Sequence, residues 1–316
     1  MPPAPGTVAD LLRHATDRLA ASGSGSPRLD AELLLAQALG VERAGLLAYP
    51  EAAVGEGARE TFEAAVGRRE RGEPVAYIRG FREFHGLAFA TDARALIPRP
   101  ETELLVDAAV EEVVSRLSGA PRPPGSPVMR VADVGTGTGA IAVSLVAALR
   151  RRKMADDVLV IAIDVSEDAL QLARENAVGH GVADRMVFMA ADLLPYHVDP
   201  AYTVVCANLP YVPTGEIPEL APELSYEPAL ALDGGPDGLD VVRRLLDALP
   251  RTLAVDGVAF LEIGAGHGEL IAHEVAERLP GWRCRVTPDL AGLPRLARVE
   301  PVALGAHRSQ PAPGPA

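Results

Sequence analysis

An apolar run, Val128-Met129-Arg130-Val131-Ala132-Asp133-Val134, passes directly into Gly135-Thr136-Gly137-Thr138-Gly139 and then into Ala140-Ile141-Ala142-Val143, which reads as a helix start. A buried strand that ends in alternate glycines allows tight turning and lets a ligand approach the backbone over a helix N-terminus. The alternation continues downstream. Val158-Leu159-Val160-Ile161-Ala162-Ile163 ends at Asp164, Met186-Val187-Phe188-Met189-Ala190 ends at Ala191-Asp192-Leu193, and Tyr202-Thr203-Val204-Val205-Cys206-Ala207 ends at Asn208. Strands that alternate with helical segments predict an α/β fold with a Rossmann-like, mostly parallel sheet that binds ligands at the carboxyl ends of its strands.

Each of those strand ends carries a group suited to a nucleoside-containing ligand. Asp164 stands where a carboxylate accepts hydrogen bonds from ribose hydroxyls. Asp192 and Leu193 would put a second carboxylate and an apolar wall on the same edge, near an adenine ring. A nicotinamide dinucleotide is the first rival, but its binders need Gly-x-Gly-x-x-Gly to face a pyrophosphate, whereas Gly135, Gly137 and Gly139 alternate. S-adenosylmethionine has no phosphate, and such a turn suits its amino-acid end. The fourth strand opens into Asn208-Leu209-Pro210-Tyr211. There the Asn carboxamide oxygen and the Leu209 carbonyl offer two acceptors for one planar NH2 group, with an aromatic ring to stack on its face. Pro210 biases Leu209 away from the helical region and fixes where its carbonyl points. The same four residues can also form an ordinary turn after a strand.

The rest of the chain is organised around this region. Thr7 to about Gly80 reads as helical, with apolar faces at Val8, Leu11, Leu12, Ala15, Leu19 and at Leu29, Leu33, Leu34, Leu35, Ala38, and a third helix from about Ala58 to Arg71. Thr7 is placed as N-cap, with Asp10 three residues on. Phe81 to Ile97 reads as a hairpin around His85-Gly86, and Pro98-Arg99-Pro100-Glu101-Thr102-Glu103 opens a helix whose carboxylates fit capping. Ala120 to Pro127 is expected to be a loop, and the tail from about Gly305 to be disordered. A net charge of −13 argues against a broad electrostatic grip on nucleic acid, although Arg150-Arg151-Arg152-Lys153 is a local basic run, which reads as a solvated helix end. Cys206 and Cys284 are read as reduced core residues, and the seven histidines show no pair at metal-ligand spacing, so no metal is expected. Met1 to Gly6 lacks a basic segment followed by an apolar one, and no apolar span reaches membrane length, so a cytoplasmic protein is expected.

Several stretches carry a resemblance. Arg71-Gly72-Glu73-Pro74-Val75-Ala76-Tyr77-Ile78, Leu96 to Glu103, Asp133 to Ala142, Tyr226 to Leu239 and Leu261-Glu262-Ile263-Gly264 occur in order, and between about residues 7 and 302 the chain resembles the glutamine methyltransferases that modify peptide-chain release factors. The resemblance implies a class I S-adenosylmethionine-dependent methyltransferase with a seven-stranded sheet at 98–303, a helical substrate-recognition domain at 1–80, a hairpin linker at 81–97 and a disordered tail at 304–316. It implies methyl transfer from S-adenosyl-L-methionine to the side-chain amide of the glutamine in the Gly-Gly-Gln motif of class I release factors. By carry-over, Gly135, Thr136, Gly137, Thr138, Gly139, Asp164, Asp192, Leu193 and Asn208 contact the cofactor. Asn208, Leu209, Pro210 and Tyr211 hold the glutamine and carry the catalysis. Arg99, Glu101, Glu227 and Pro228 belong to the substrate side, although by spacing alone Glu227 reads equally as a surface carboxylate or a helix-start residue. A monomer with no direct nucleic-acid partner is expected. The chain departs from the family pattern at Leu209, where the family carries Pro, and at Leu193, where it often carries an aromatic residue. Asn-Leu-Pro-Tyr also resembles adenine dimethyltransferases acting on ribosomal RNA, which leaves an amino-group N-methyltransferase for nucleic acid or a small metabolite as the alternative.

Overall fold

The computed structural model of the chain describes residues 6–119, 128–195 and 201–302. The expected loop at 120–127, the expected disordered tail and the first five residues lie outside the described residues. Helices α1 (Val8–Ala21), α2 (Pro27–Leu39), α3 (Arg43–Ala48), α4 (Glu56–Glu70) and α5 (Val75–Arg79) come first. They close around Leu11, Leu12, Leu19, Leu34, Leu35, Phe62 and Val66, all buried. The Thr7 hydroxyl accepts the Asp10 amide hydrogen and caps α1, as its sequence position predicts. Helices α3 and α5 are too short to show a periodic apolar pattern and were not anticipated. Leu29, placed on an apolar face by spacing, is instead exposed. Helix α2 turns Asp30 inward because Arg69 of α4 donates to it at 2.8 Å, with both side chains buried.

Strands β1 (Phe81–Phe84) and β2 (Leu87–Ala90) pair antiparallel across His85 and Gly86, both at positive φ, the backbone of a primed two-residue turn. Phe84 and Phe89 are fully buried and meet edge to face at 5.9 Å. They pack into the same core as Leu105, Val106, Ala109, Val110 and Val113 of α6 (Glu103–Ser118). The hairpin is therefore seated on the α/β body.

The remaining elements are β3 (Met129–Val134), α7 (Ala140–Arg151), β4 (Val158–Asp164), α8 (Glu167–Gly179), β5 (Met186–Ala190), β6 (Tyr202–Ala207), α9 (Asp240–Thr252), β7 (Leu253–Glu262), α10 (Gly268–Arg278), β8 (Trp282–Pro288) and β9 (Pro294–Pro301). Among the described residues, β3 to β9 form one seven-stranded sheet in the order β5-β4-β3-β6-β7-β9-β8. The pairings from β5 through β7 are parallel, and β9 runs antiparallel to both β7 and β8. Side chains alternate across the sheet: Val131 joins the core under α6 and α7, and Ala132 and Val134 join the opposite core under α9 and α10. The last three strands are not among the sequence expectations. In β8, Trp282, Cys284 and Val286 alternate with Arg283, Arg285 and Thr287 in the two-residue period of a strand, and the strand lies at the sheet edge.

The chain moves outward from β3 to β5 and returns to pair β6 with β3, so the strand order reverses between those two. Ligands of open α/β sheets bind beyond the strand ends at such a reversal. Gly139 begins α7 at φ +80°, and a Cβ built there would lie 3.1 Å from the Ala173 Cβ and 3.2 Å from the Ala173 Cα of α8. Gly139→Ala therefore combines a left-handed alanine with a backbone contact. It is expected to lower the unfolding free energy by about 2 kcal/mol, measured by urea denaturation.

Candidate active site

The turn after β3 is held from below and from the side by two carboxylates. Asp133, the next-to-last residue of β3, is buried, and its Oδ2 accepts from the Thr136 hydroxyl at 2.7 Å and from the Ala142 amide at 3.2 Å. It thus ties the turn to the first turn of α7. Asp164 at the end of β4 accepts from the Gly137 amide and the Ser166 amide, each at 2.9 Å. Both of its oxygens are oriented by backbone, and each retains acceptor capacity toward the open side. Gly135 is at φ +72°, and a Cβ there would come within 3.1 Å of the Leu209 side chain. The β3 and β6 turns therefore touch.

Val134 pairs with Ala207, so the residues that follow, Gly135 and Asn208, stand level at the two strand ends. The Asn208 amide donates from Nδ2 to the Thr102 hydroxyl at 3.1 Å. Thr102 is buried at the start of α6 and does not cap that helix. It also neighbours Glu262, the last residue of β7, whose Oε2 is buried without a hydrogen-bond partner among the described residues. The Tyr211 hydroxyl donates to the Glu262 Oε1 at 3.4 Å. Residues 208–211 are thus met by two side chains, Thr102 and Glu262, that sequence reading did not single out. Both lay in noted stretches, Leu96 to Glu103 and Leu261 to Gly264, but neither spacing marks a side chain that will turn inward.

Two cavities meet at this point. The first, about 240 Å³, is lined by Gly135, Thr136, Gly137, Thr138, Asp164 and Leu193 along with neighbouring residues. The second, about 270 Å³, is lined by Tyr211, Val212, Leu220, Glu223, Leu224 and Leu232. Leu96, Arg99, Asn208, Leu209 and Ala231 line both. Pro210 and Pro228 face the first cavity, and Gly139 lies beneath it against α8. Asp192 and Leu193 line the first cavity. Asp192 is also paired with Arg244 of α9, and Leu193 has a left-handed backbone at φ +64°, uncommon for a branched side chain. Arg244 is a further lining residue that the sequence did not indicate.

Glu227 is neither a surface carboxylate nor a helix-start residue. It is buried, accepts the Ile97 amide at 2.9 Å, and pairs with Arg99. Buried pairing makes it the fastener between the 222–231 region and the Ile97-Pro98-Arg99 wall. Glu101 is exposed and lines neither cavity. Cys206 is buried and Cys284 half-buried, both as free thiols pushed up by burial. His267, half-buried beside Gly264, is held below its usual range by burial. Among the described residues, no group of three His, Cys, Asp or Glu side chains could hold a metal ion.

Burial dominates the acid–base properties here. It raises the Glu262 carboxyl against the opposing influence of the neighbouring Thr102 hydroxyl and Arg295, and burial with the neighbouring Glu262 pushes the Tyr211 phenol up to about 12. Burial also pushes Asp133 up to about 7, opposed by its bonds from Thr136 and Ala142. The folded state therefore holds the Asp133 proton while the unfolded chain has lost it, so Asp133 costs stability progressively as pH rises from about 4 to 7. Asp133→Asn mimics the neutral form. The stability difference between variant and parent, measured by denaturant unfolding, is expected to shift in favour of the variant by on the order of 3 to 4 kcal/mol across that window.

The chain matches two described families, the PrmC N-terminal domain over residues 10–80 and a methyltransferase domain over residues 126–209. It is 36% identical over 302 residues to the release factor glutamine methyltransferase of Rhodopirellula baltica, covering 94% of this chain and 97% of that one. It is 38% identical to the protein of the same name from Deinococcus radiodurans, covering 92% and 96%. Among solved structures, the catalytic domain of hMettl16 in complex with MAT2A 3′UTR hairpin 1 superposes with a TM-score of 0.52 at 15% identity, over 77% of this chain and 80% of that one. That likeness concerns the fold alone. Near-complete coverage in both directions, with a match to the helical N-terminal region as well as to the sheet, decides the family: the chain belongs to the release factor glutamine methyltransferases.

Proposed function

We propose that the chain transfers a methyl group from S-adenosyl-L-methionine to the side-chain amide nitrogen of the Gly-Gly-Gln glutamine in class I release factors. The observation that carries this reading is the Asn208 amide. Its NH2 side is engaged by Thr102, which leaves Oδ1 and the Leu209 carbonyl as acceptors where two cavities join. An acceptor pair at a junction suits a planar NH2 donor entering from one cavity and a methyl donor held in the other.

The residues of the first cavity fit the methyl donor by their chemistry. Backbone at Gly135 to Gly137 and the Thr136 and Thr138 side chains suit its amino-acid end, Asp164 the ribose hydroxyls, and Leu193 with Val165 an adenine face. When bound, S-adenosylmethionine supplies an electrophilic methyl group on a sulfonium. The protein's task is then to present a poor nucleophile, since an amide nitrogen shares its lone pair with its carbonyl. Two acceptors on the NH2 hydrogens draw electron density to nitrogen and hold it in line. One pre-organised hydrogen bond of this kind is worth about 3 kcal/mol in the transition state. Tyr211 spends its hydroxyl on Glu262 and so offers its ring face for stacking. Leu209 in place of Pro keeps the backbone acceptor and packs its side chain on Gly135, away from the clamp.

Helices α1–α5 fit a role in recognising the whole release factor, while Arg99, Glu227 and Pro228 shape the approach of its glutamine. No helix among the described residues is long and apolar enough to cross a membrane. A monomer working in the cytoplasm on a translation protein, without direct nucleic-acid contact, completes the reading. Mass spectrometry of a release factor incubated with this protein and labelled S-adenosylmethionine is expected to show one methyl group on the Gly-Gly-Gln glutamine. A release factor with alanine at that glutamine should gain none, and methyl gain confined to RNA would overturn the reading. Asn208→Ala should lower kcat at least about 100-fold while S-adenosylmethionine affinity, read by calorimetry, stays within about tenfold. A short Gly-Gly-Gln peptide should show a far higher KM than the intact release factor if α1–α5 hold the rest of that protein.

A further inference from the structure

A side-chain amide has two opposite faces, and only one of them can serve as a clamp for an NH2 donor. With Oδ1 toward the cavities Asn208 accepts; flipped, it would present its own NH2 to the donor it is meant to hold. Something must choose between the two. The immediate partner, the Thr102 hydroxyl at 3.1 Å, cannot do so alone, because a hydroxyl can either accept from Nδ2 or donate to Oδ1.

We propose that Thr102 and Glu262 are positioning residues that fix the Asn208 amide with its oxygen toward the substrate. Glu262 is 2% exposed and ends β7, where Ala207 pairs with Leu261, so Asn208 and Glu262 stand level on adjacent strands. The Thr102 side chain, brought in from the start of α6, accepts from Asn208 and neighbours the Glu262 carboxyl, whose Oε2 is buried without a hydrogen-bond partner among the described residues. In this proposal that orphaned oxygen takes the Thr102 proton, and either protonation state of Glu262 leaves an oxygen able to do so. With its proton committed, the Thr102 oxygen can only accept, and the donor it accepts from is the Asn208 NH2. The Tyr211 hydroxyl donates to the same carboxylate, so one buried group orders both ends of the clamp. Without Glu262, the Thr102 hydroxyl is free to donate to Oδ1 and stabilise the flipped amide. Neither Thr102 nor Glu262 need touch the reacting atoms.

This proposal rests on the reading of Asn208 as the glutamine clamp, and its test separates the two. Thr102→Val removes the hydroxyl at nearly constant shape, Thr102→Ser keeps it, and Glu262→Met removes the acceptor behind it. With intact release factor, Thr102→Val and Glu262→Met are each expected to lower kcat about 100-fold, with KM and S-adenosylmethionine affinity within about threefold. Thr102→Ser should recover kcat to within about fivefold of the parent. In the 15N NMR spectrum of the full chain, the Asn208 side-chain NH2 protons should exchange with solvent at least about tenfold faster in Thr102→Val and Glu262→Met than in the parent. Parent-like kcat together with an unchanged Asn208 NH2 signal in either variant that folds overturns the relay. If the parent itself leaves release-factor glutamine unmethylated, the clamp reading fails, and the Asn208 NH2 signal alone still decides whether Thr102 and Glu262 hold the amide.

Discussion

The parallel pairing of β3 with β6 is the constraint on which the rest of the structure depends. These strands are not neighbours in sequence; β4 and β5 lie between them, and the chain must double back over the sheet to close the pair. Once closed in the observed register, Gly135 and Asn208 come level. The turn after β3 must then be narrow enough to admit the Leu209 side chain, which is why a residue without Cβ stands at Gly135. The two turns share one contact surface, so the cavity over the glycine turn and the cavity beside Tyr211 share lining residues and open onto each other.

Around that pairing, buried and half-buried carboxyls do most of the positioning. Asp133, Asp164, Glu227 and Glu262 come from four different segments, and each ties backbone or side chains of another segment to the site. Asp133 and Glu262 each keep one buried oxygen without a hydrogen-bond partner among the described residues, and burial raises both carboxyls. The helical region is tied in the same way. Arg69 bridges Asp30 within the helices and Glu223 on the wall of the second cavity, and the Tyr226 hydroxyl donates to the Arg71 carbonyl. The segment that shapes the approach to Asn208 is therefore fastened at one end to α4 and at the other, through Glu227, to Ile97 and Arg99. The helical region and the wall of the second cavity share these struts.

Much of this was legible from the residues. Four parallel strands, the glycine turn, the cap at Thr7 and the hairpin at His85-Gly86 follow from local rules of period, conformation and hydrogen bonding, and they occur where those rules put them. Strands β7, β8 and β9 are not assigned from the sequence, although Trp282, Cys284 and Val286 of β8 alternate with Arg283, Arg285 and Thr287 in the two-residue period of a half-exposed strand. Leu29 pointed outward because the long-range pair between Asp30 and Arg69 set the rotation of α2. Glu227 read equally as a surface group, and its burial depends on partners 128 and 130 residues away.

By itself the sequence determined the α/β class, the nature of each strand end and the family, because strand period, glycine backbone freedom and motif chemistry are local properties. Only the tertiary structure decided which strand ends stand level, that Thr102 meets Asn208, and that Glu262 meets Tyr211. Those depend on hydrogen bonds between groups 51 to 106 residues apart, whose distances are set by sheet order and helix packing and by nothing in the neighbouring sequence.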